Sequence, residues 1–174
     1  GGFSGDGFLL LFADAAKAAA FALAYHDAIA PLGLAARAGL HVGAVTLREN
    51  VADDVARGAK PVEVEGIAKP LAARVMSLAR GGQTLLTQAA RAALGDSLDV
   101  ATTTIEDRGH WQLKGIAEPV ELFELARRDR AAPPPLPDDT DKAYRVVRGD
   151  DGWQPARDVR HNLPRERDPF VGRT

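Results

Sequence analysis

An α+β domain, a sheet with helices packed on one face, is the fold this sequence predicts, and three observations predict it. Short apolar runs of strand length alternate with segments of helical period through residues 8–125. Glycines or prolines mark the junctions, as at Pro31-Leu32-Gly33 and Gly81-Gly82. Apolar residues make up 45% of 174, enough to fill the core of one domain of ordinary size.

The elements follow in order. Phe8 to Phe12 is a continuous apolar run, read as a buried strand. Asp14 is placed to cap the next helix, because its carboxylate can accept from the free N–H groups of a first turn. That helix sets Ala18, Phe21, Ala22, Tyr25, Ala28 and Ile29 on one face and stops at Pro31 and Gly33. Ala36 to Arg48 alternates as a strand, and its apolar phase shifts past Gly43, which suggests a bulge. Residues 50–62 are polar and irregular. A second helix over Ala68 to Ala79 carries the stripe Ala68, Leu71, Ala72, Val75, Leu78 and Ala79. Gln83 to Thr87 reads as a strand, and Gln88 to Leu94 as a short helix ending at Gly95. Two strands near Trp111 to Leu113 and Val120 to Leu125 join through Lys114-Gly115. The order β-α-β-α-β-α-β-β predicts an interleaved sheet.

Residues 127–174 differ in composition. Pro133-Pro134-Pro135-Leu136-Pro137 precedes Asp138, Asp139 and Asp141, which reads as an extended linker. Within it Tyr144-Arg145-Val146-Val147 and Trp153 are candidates for a short strand pair. The division expected is a globular part at 1–126 and a linker at 127–174.

Charged residues are 26% and balanced, with net charge −2, so no basic surplus recruits nucleic acid or an anionic membrane. With no cysteine there is neither a disulfide framework nor a thiolate metal site. The most apolar stretch, Phe8 to Ala30, is interrupted by Asp14, Lys17, His26 and Asp27, and nothing approaches the roughly 20 apolar residues of a membrane span. A cytoplasmic location is expected. The chain opens Gly1-Gly2-Phe3 without methionine, and both ends are expected to continue in a longer polypeptide.

Four blocks stand in order along residues 2–126. They are Gly5-Asp6-Gly7-Phe8-Leu9; Arg37-Ala38-Gly39-Leu40-His41-Val42-Gly43; Gly66 followed eight residues later by Arg74 within Ala72-Ala73-Arg74; and Leu113-Lys114-Gly115-Ile116-Ala117-Glu118-Pro119-Val120. Together they resemble the catalytic domain of class III adenylate and guanylate cyclases. That resemblance implies a ferredoxin-like α+β sheet, a head-to-tail homodimer with active sites across the interface, and conversion of ATP or GTP to the cyclic nucleotide and pyrophosphate. It also implies two divalent ions, Mg²⁺ or Mn²⁺, held by two aspartates, since hard cations take carboxylate oxygens and can stabilise both attacking and leaving oxygens.

Carried onto this chain, the resemblance assigns Asp6 as a metal ligand, with the other metal aspartate lying upstream of Gly1. Taken by itself, Asp6 between two glycines reads as a turn residue more than as a metal ligand. Arg74 is assigned to developing charge on the transferring phosphate, a task suited to a planar guanidinium; alone it reads as a solvated helix arginine. Lys114 is assigned to the polyphosphate; alone it reads as a hairpin lysine guarding a sheet edge. Glu63, three residues before Gly66, occupies a base-selecting position. His41 and Arg37 belong to the strand block and are read as structural. His26, His110 and His161 form no ligand spacing, and Trp111 is read as a packing residue.

The pattern departs from the family at three places. Gly2 stands where the base-selecting lysine is expected, Glu63 where an aspartate or small polar residue is usual, and Pro70 where an asparagine orients the ribose. Proline fits a first helical turn but offers no side-chain amide. Two functions therefore stand side by side. One is an active cyclase, with ATP the expected substrate over GTP. The other is a catalytically degenerate module that dimerises or senses nucleotide. The closing segment, Asn162 to Arg173, resembles the lead-in to a STAND- or AAA-like ATPase domain, which would be the partner in the same chain.

Overall fold

Four consecutive buried residues, Thr84 to Thr87, form a strand covered on both faces in the computed structural model, which describes residues 7–158. The elements are α1 (Ala15–Ile29), β1 (Ala38–Leu40), β2 (Thr46–Glu49), α2 (Ala52–Ala56), β3 (Val62–Glu65), α3 (Ala68–Leu78), β4 (Thr84–Thr87), α4 (Gln88–Leu94), β5 (Thr103–Leu113), β6 (Val120–Arg127), β7 (Ala143–Gly149) and β8 (Gly152–Pro155). Six strands form one sheet in the order β1-β4-β6-β5-β7-β8, and β2 pairs with β3 in a separate antiparallel hairpin. In the large sheet β1 runs parallel to β4, and the other pairs are antiparallel.

The α+β class stands as predicted. Where the sequence reading set the helices on one face, the structure packs both. Leu85 joins Val75, Leu78 and Ala79 of α3 with Trp111, Leu113 and Leu122. Leu86, pointing the other way, joins Ala19 and Leu23 of α1, Ala90 and Leu94 of α4, and Leu125. A short continuous apolar strand such as β4 is apolar toward both faces, so each needs a cover.

Local chemistry explains the helix ends. Asp14 Oδ1 accepts from the N–H of Ala16 at 2.7 Å and of Lys17 at 3.4 Å, which caps α1. A 3₁₀ turn at Ala30–Leu32 ends on Gly33 at φ 73°, a left-handed position suited to glycine. Gly39 lets β1 approach α3: a Cβ there would lie 2.5 Å from the Met76 nitrogen. Pro70 falls in the first turn of α3, where its missing N–H costs nothing.

Four expectations are corrected. Phe8 to Phe12 is not a buried strand: it has no strand assignment, and Phe8 and Leu11 are 63% and 51% exposed. A strand needs a neighbouring backbone as well as apolar side chains, and among the described residues none pairs with this run. Its terminal rings rest on α1 instead, Phe8 edge-on to Tyr25 and Phe12 tilted against Phe21. The buried face of α1 is Ala19, Ala22 and Leu23, turned from the predicted stripe. With alanine and larger apolar groups around most of its circumference, α1 has no sharp apolar edge to read.

The single strand expected over Ala36 to Arg48 breaks around Gly43, so that β1 and β2 belong to different sheets. Residues 50–62, expected to be irregular, contain α2 and lead into β3, and the Asn50 N–H donates to the Pro61 carbonyl at 3.0 Å to close the excursion.

The linker reading also changes. The strand pair expected around Tyr144 and Trp153 forms, and it joins the main sheet, with β7 alongside β5 from His110↔Val146 to Leu113↔Ala143. Leu136 and Ala143 enter the core beside Trp111. A proline run reads as linker by composition, yet one leucine within it reaches a core pocket, and that is a tertiary fact. The expected ATPase lead-in, Asn162 to Arg173, lies outside the described residues, as does His161.

Candidate functional site

The β2–β3 hairpin presents Glu63. Its direct cross-strand partner is Arg48, and residues opposite one another across antiparallel strands face the same side. The Arg48 guanidinium donates through Nη2 to Glu63 Oε2, and its Nε lies 3.2 Å from Glu65 Oε1. This hydrogen bond and charge hold the Glu63 carboxyl below the usual carboxylate range. Arg48 thus bridges two carboxylates on one face of an exposed hairpin. Sequence reasoning missed it because the pairing register was unseen. The signal was the facing alternation of Thr46-Leu47-Arg48-Glu49 and Val62-Glu63-Val64-Glu65.

Gly66 turns the chain from β3 into α3 at φ 116°, a left-handed geometry that favours glycine. Two turns later Arg74 is half-buried, and among the described residues no acidic side chain pairs with it. Lys114 sits exposed in the β5–β6 turn, also without an acidic partner among the described residues. Its N–H donates to the Lys142 carbonyl at 2.9 Å. The edge of β5 beside it is already paired with β7, so Lys114 guards no free edge. Leu71 of α3 and Ile116 of the β5–β6 turn pack on one core cluster, which brings the helix of Arg74 and the turn of Lys114 to the same face of the sheet. Glu63, Arg74 and Lys114 do not bond to one another; Glu63 is engaged by Arg48. Asp6 and Gly2 lie outside the described residues.

The three histidines among the described residues, His26, His41 and His110, are structural in their contacts. His41 Nδ1 lies 2.8 Å from Thr87 Oγ1, and the same hydroxyl accepts from the Ala90 N–H at the start of α4. Burial lowers the His41 pKa from 6.5. His26 Nε2 lies 2.9 Å from Thr84 Oγ1, and its Nδ1 is buried without a partner. His110 stacks near Trp153, and Trp111 is 1% exposed with Nε1 donating to the Arg108 carbonyl. Trp111 is a packing residue, as expected.

Among the described residues no group of three His, Cys, Asp or Glu side chains is placed to hold a metal ion. Among the described residues no helix is long and apolar enough to cross a membrane.

No family model matches the chain. Over 97 residues it is 36% identical to the receptor-type adenylate cyclase GRESAG 4.3 of Trypanosoma brucei brucei, covering 53% of this chain and 7% of the relative. It is 34% identical over 97 residues to a receptor-type adenylate cyclase of Trypanosoma equiperdum, covering 53% of this chain and 18% of that protein. The relatives are adenylate cyclases. Among solved structures, an adenylate cyclase from Trypanosoma brucei in its monomeric state aligns at TM-score 0.44 with 27% identity, over 56% of this chain and 39% of that one. The adenylyl cyclase CyaB from P. aeruginosa aligns at TM-score 0.42 with 23% identity, over 53% and 44%. The chain thus spans a small part of the adenylate cyclases it matches.

Proposed function

We propose that this chain is part of a nucleotidyl cyclase that converts ATP, in preference to GTP, to the 3′,5′-cyclic nucleotide and pyrophosphate in intracellular signalling. The observation that carries the reading is the 36% identity over 97 residues to a receptor-type adenylate cyclase. Arg74 and Lys114 support it as cations without acidic partners among the described residues. Unpaired guanidinium and ammonium groups are available to phosphate oxygens, while cations already neutralised are not.

In this reading the Arg74 guanidinium donates to the oxygens on which charge develops as pyrophosphate leaves. Lys114 holds the polyphosphate as a point charge, and Glu63 meets the base edge. Asp6 belongs to the proposal as the ligand for Mg²⁺ or Mn²⁺, which would supply charge neutralisation when bound. The active unit is a head-to-tail homodimer in the cytoplasm. The exposed apolar side chains Phe8, Leu11, Val45 and Leu47 are surface of the kind that associates. An ATPase domain in the same chain is the proposed partner.

A second reading is favoured by Pro70. Its place in the first turn of α3 preserves the fold while removing an amide that would orient the ribose. A regulatory module that dimerises or binds nucleotide without turnover follows. Incubating the full-length protein with Mn²⁺ and ATP or GTP, beside an Asp6→Ala control, separates the two. Cyclic product that vanishes in the control supports the enzyme; no product from a folded dimer sinks it in favour of the module.

A further inference from the structure

A cavity of about 300 Å³ lies where the C-terminal end of α1, the Gly81-Gly82 turn, the end of β6 and the proline run meet. Leu23, Leu34, Leu125, Pro133 and Pro134 give it apolar walls. Its volume is at the small end of ligand pockets, which run from about 300 to 1,000 Å³. Glu63, Arg74 and Lys114 do not line it.

Charge at this cavity is unevenly met. Arg127 and Arg130 both line it, and both turn to the one carboxylate of Asp27. Arg127 donates through Nε to Oδ2 at 2.7 Å, and Arg130 through Nη2 to Oδ1 at 2.6 Å. Each guanidinium spends one nitrogen there, and among the described residues no acceptor meets the others. Two guanidiniums on one carboxylate leave one positive charge over, with N–H donors to spare in a fixed fork. The second acidic residue of the wall does not cancel it, because Glu124 is taken up by Gln83 on Oε1 and by Arg108 on Oε2. The carbonyls that end α1 are engaged as well: those of Ile29 and Ala30 accept from the N–H groups of Leu34 and Gly33.

An apolar hollow with spare guanidinium donors in its wall suits one ligand chemistry. A free inorganic anion would use the donors and leave the apolar walls uncovered. A neutral apolar molecule would cover the walls and strip water from a guanidinium without replacing it, which is costly. A carboxylate on a compact apolar body does both tasks. Its two oxygens fit the fork of an arginine, and its tail takes apolar wall out of water.

We propose that this cavity is a binding site for a small amphipathic carboxylate, held by Arg127 and Arg130 beside Asp27. The occupant ties α1 to the segment after β6, since Asp27 lies on the helix, Arg127 ends β6 and Arg130 follows it. The site stands independently of the cyclase reading.

The test titrates the full-length protein with octanoate by calorimetry, with acetate as the control for charge alone and octan-1-ol for the tail alone. Octanoate should bind saturably and at least about tenfold more tightly than either control, the worth of one charge-assisted contact. Arg130→Gln should weaken octanoate at least about tenfold and leave octan-1-ol unchanged. The Arg130 side chain is 47% exposed, so the fold should survive the change. Ala131→Trp fills the hollow from an exposed position and should abolish octanoate binding at an unchanged melting temperature. Octanoate that binds no better than octan-1-ol overturns the proposal, as does binding that persists in either folded variant. Absence of saturable binding to the folded protein overturns it too.

Discussion

The side-chain amide of Gln83, just before β4, donates to Oε1 of Glu124 in β6 at 2.9 Å, and both residues are buried, at 2% and 4% exposure. Arg108 Nε completes the carboxylate from the other side, donating to Oε2 at 2.9 Å. Burying a carboxylate is costly unless each oxygen is met, so Arg108 is required by Glu124 more than by the surface. Arg108→Ala should cost about 2–4 kcal/mol, read as a lower urea midpoint. Glu124→Gln with Arg108 retained should cost less.

Gly39 packs β1 against α3 without room for a side chain. Its Cβ would meet the Met76 nitrogen at 2.5 Å and the Ala72 oxygen at 2.9 Å, and both are backbone atoms. Gly39→Ala should destabilise by roughly 3 kcal/mol, since strand or helix must shift. Gly82→Asn, at a φ of 82° with nothing near its Cβ, should be far milder by the same thermal-melting comparison.

Leu136 tests whether the proline-rich stretch belongs to the fold. It is 9% exposed within the cluster of Trp111 and Ala143. Leu136→Ala should lower stability by about 2–3 kcal/mol. A change near zero would mean that the stretch is a detachable linker.

Stability should fall on acidification near neutrality. Desolvation lowers the His26 pKa from 6.5, against an opposing effect of Asp27, with Arg130 adding to the lowering. His41 is lowered by burial. Below pH 6.5 the unfolded chain binds protons at these sites more readily than the folded one. Stability present above that pH is therefore lost as the pH falls toward the folded values. Urea midpoints between pH 7.5 and 5 should drop for the native chain and drop less for His26→Asn.

Arg74→Lys should separate function from folding. The guanidinium has no acidic partner among the described residues, so the melting temperature should hold. Turnover in the full-length protein should fall about 10²-fold, as when one transition-state donor is lost. Full activity with lysine would remove Arg74 from the chemistry.

Local signals in the chain determined much of this protein by themselves. Asp14, Gly33, Gly66 and Gly95 set the ends of helices and turns, because capping and left-handed backbone are properties of single residues. The stripe of α3 and the bounds of α4 were legible because helical period and a glycine stop act over a few residues. Arg74, Lys114 and Glu63 were marked in the sequence only through the resemblance of short blocks, and their roles belong to the proposed function. Only tertiary structure decided what depends on a neighbour. Phe8 to Phe12 carries strand chemistry but finds no backbone to pair with among the described residues. Leu136 leaves a proline run to enter the core. Arg48 meets Glu63 only through the register of a hairpin closed by the 50–61 excursion. A side chain's type is written in the sequence, but its partner across a sheet is set by the path of the whole chain.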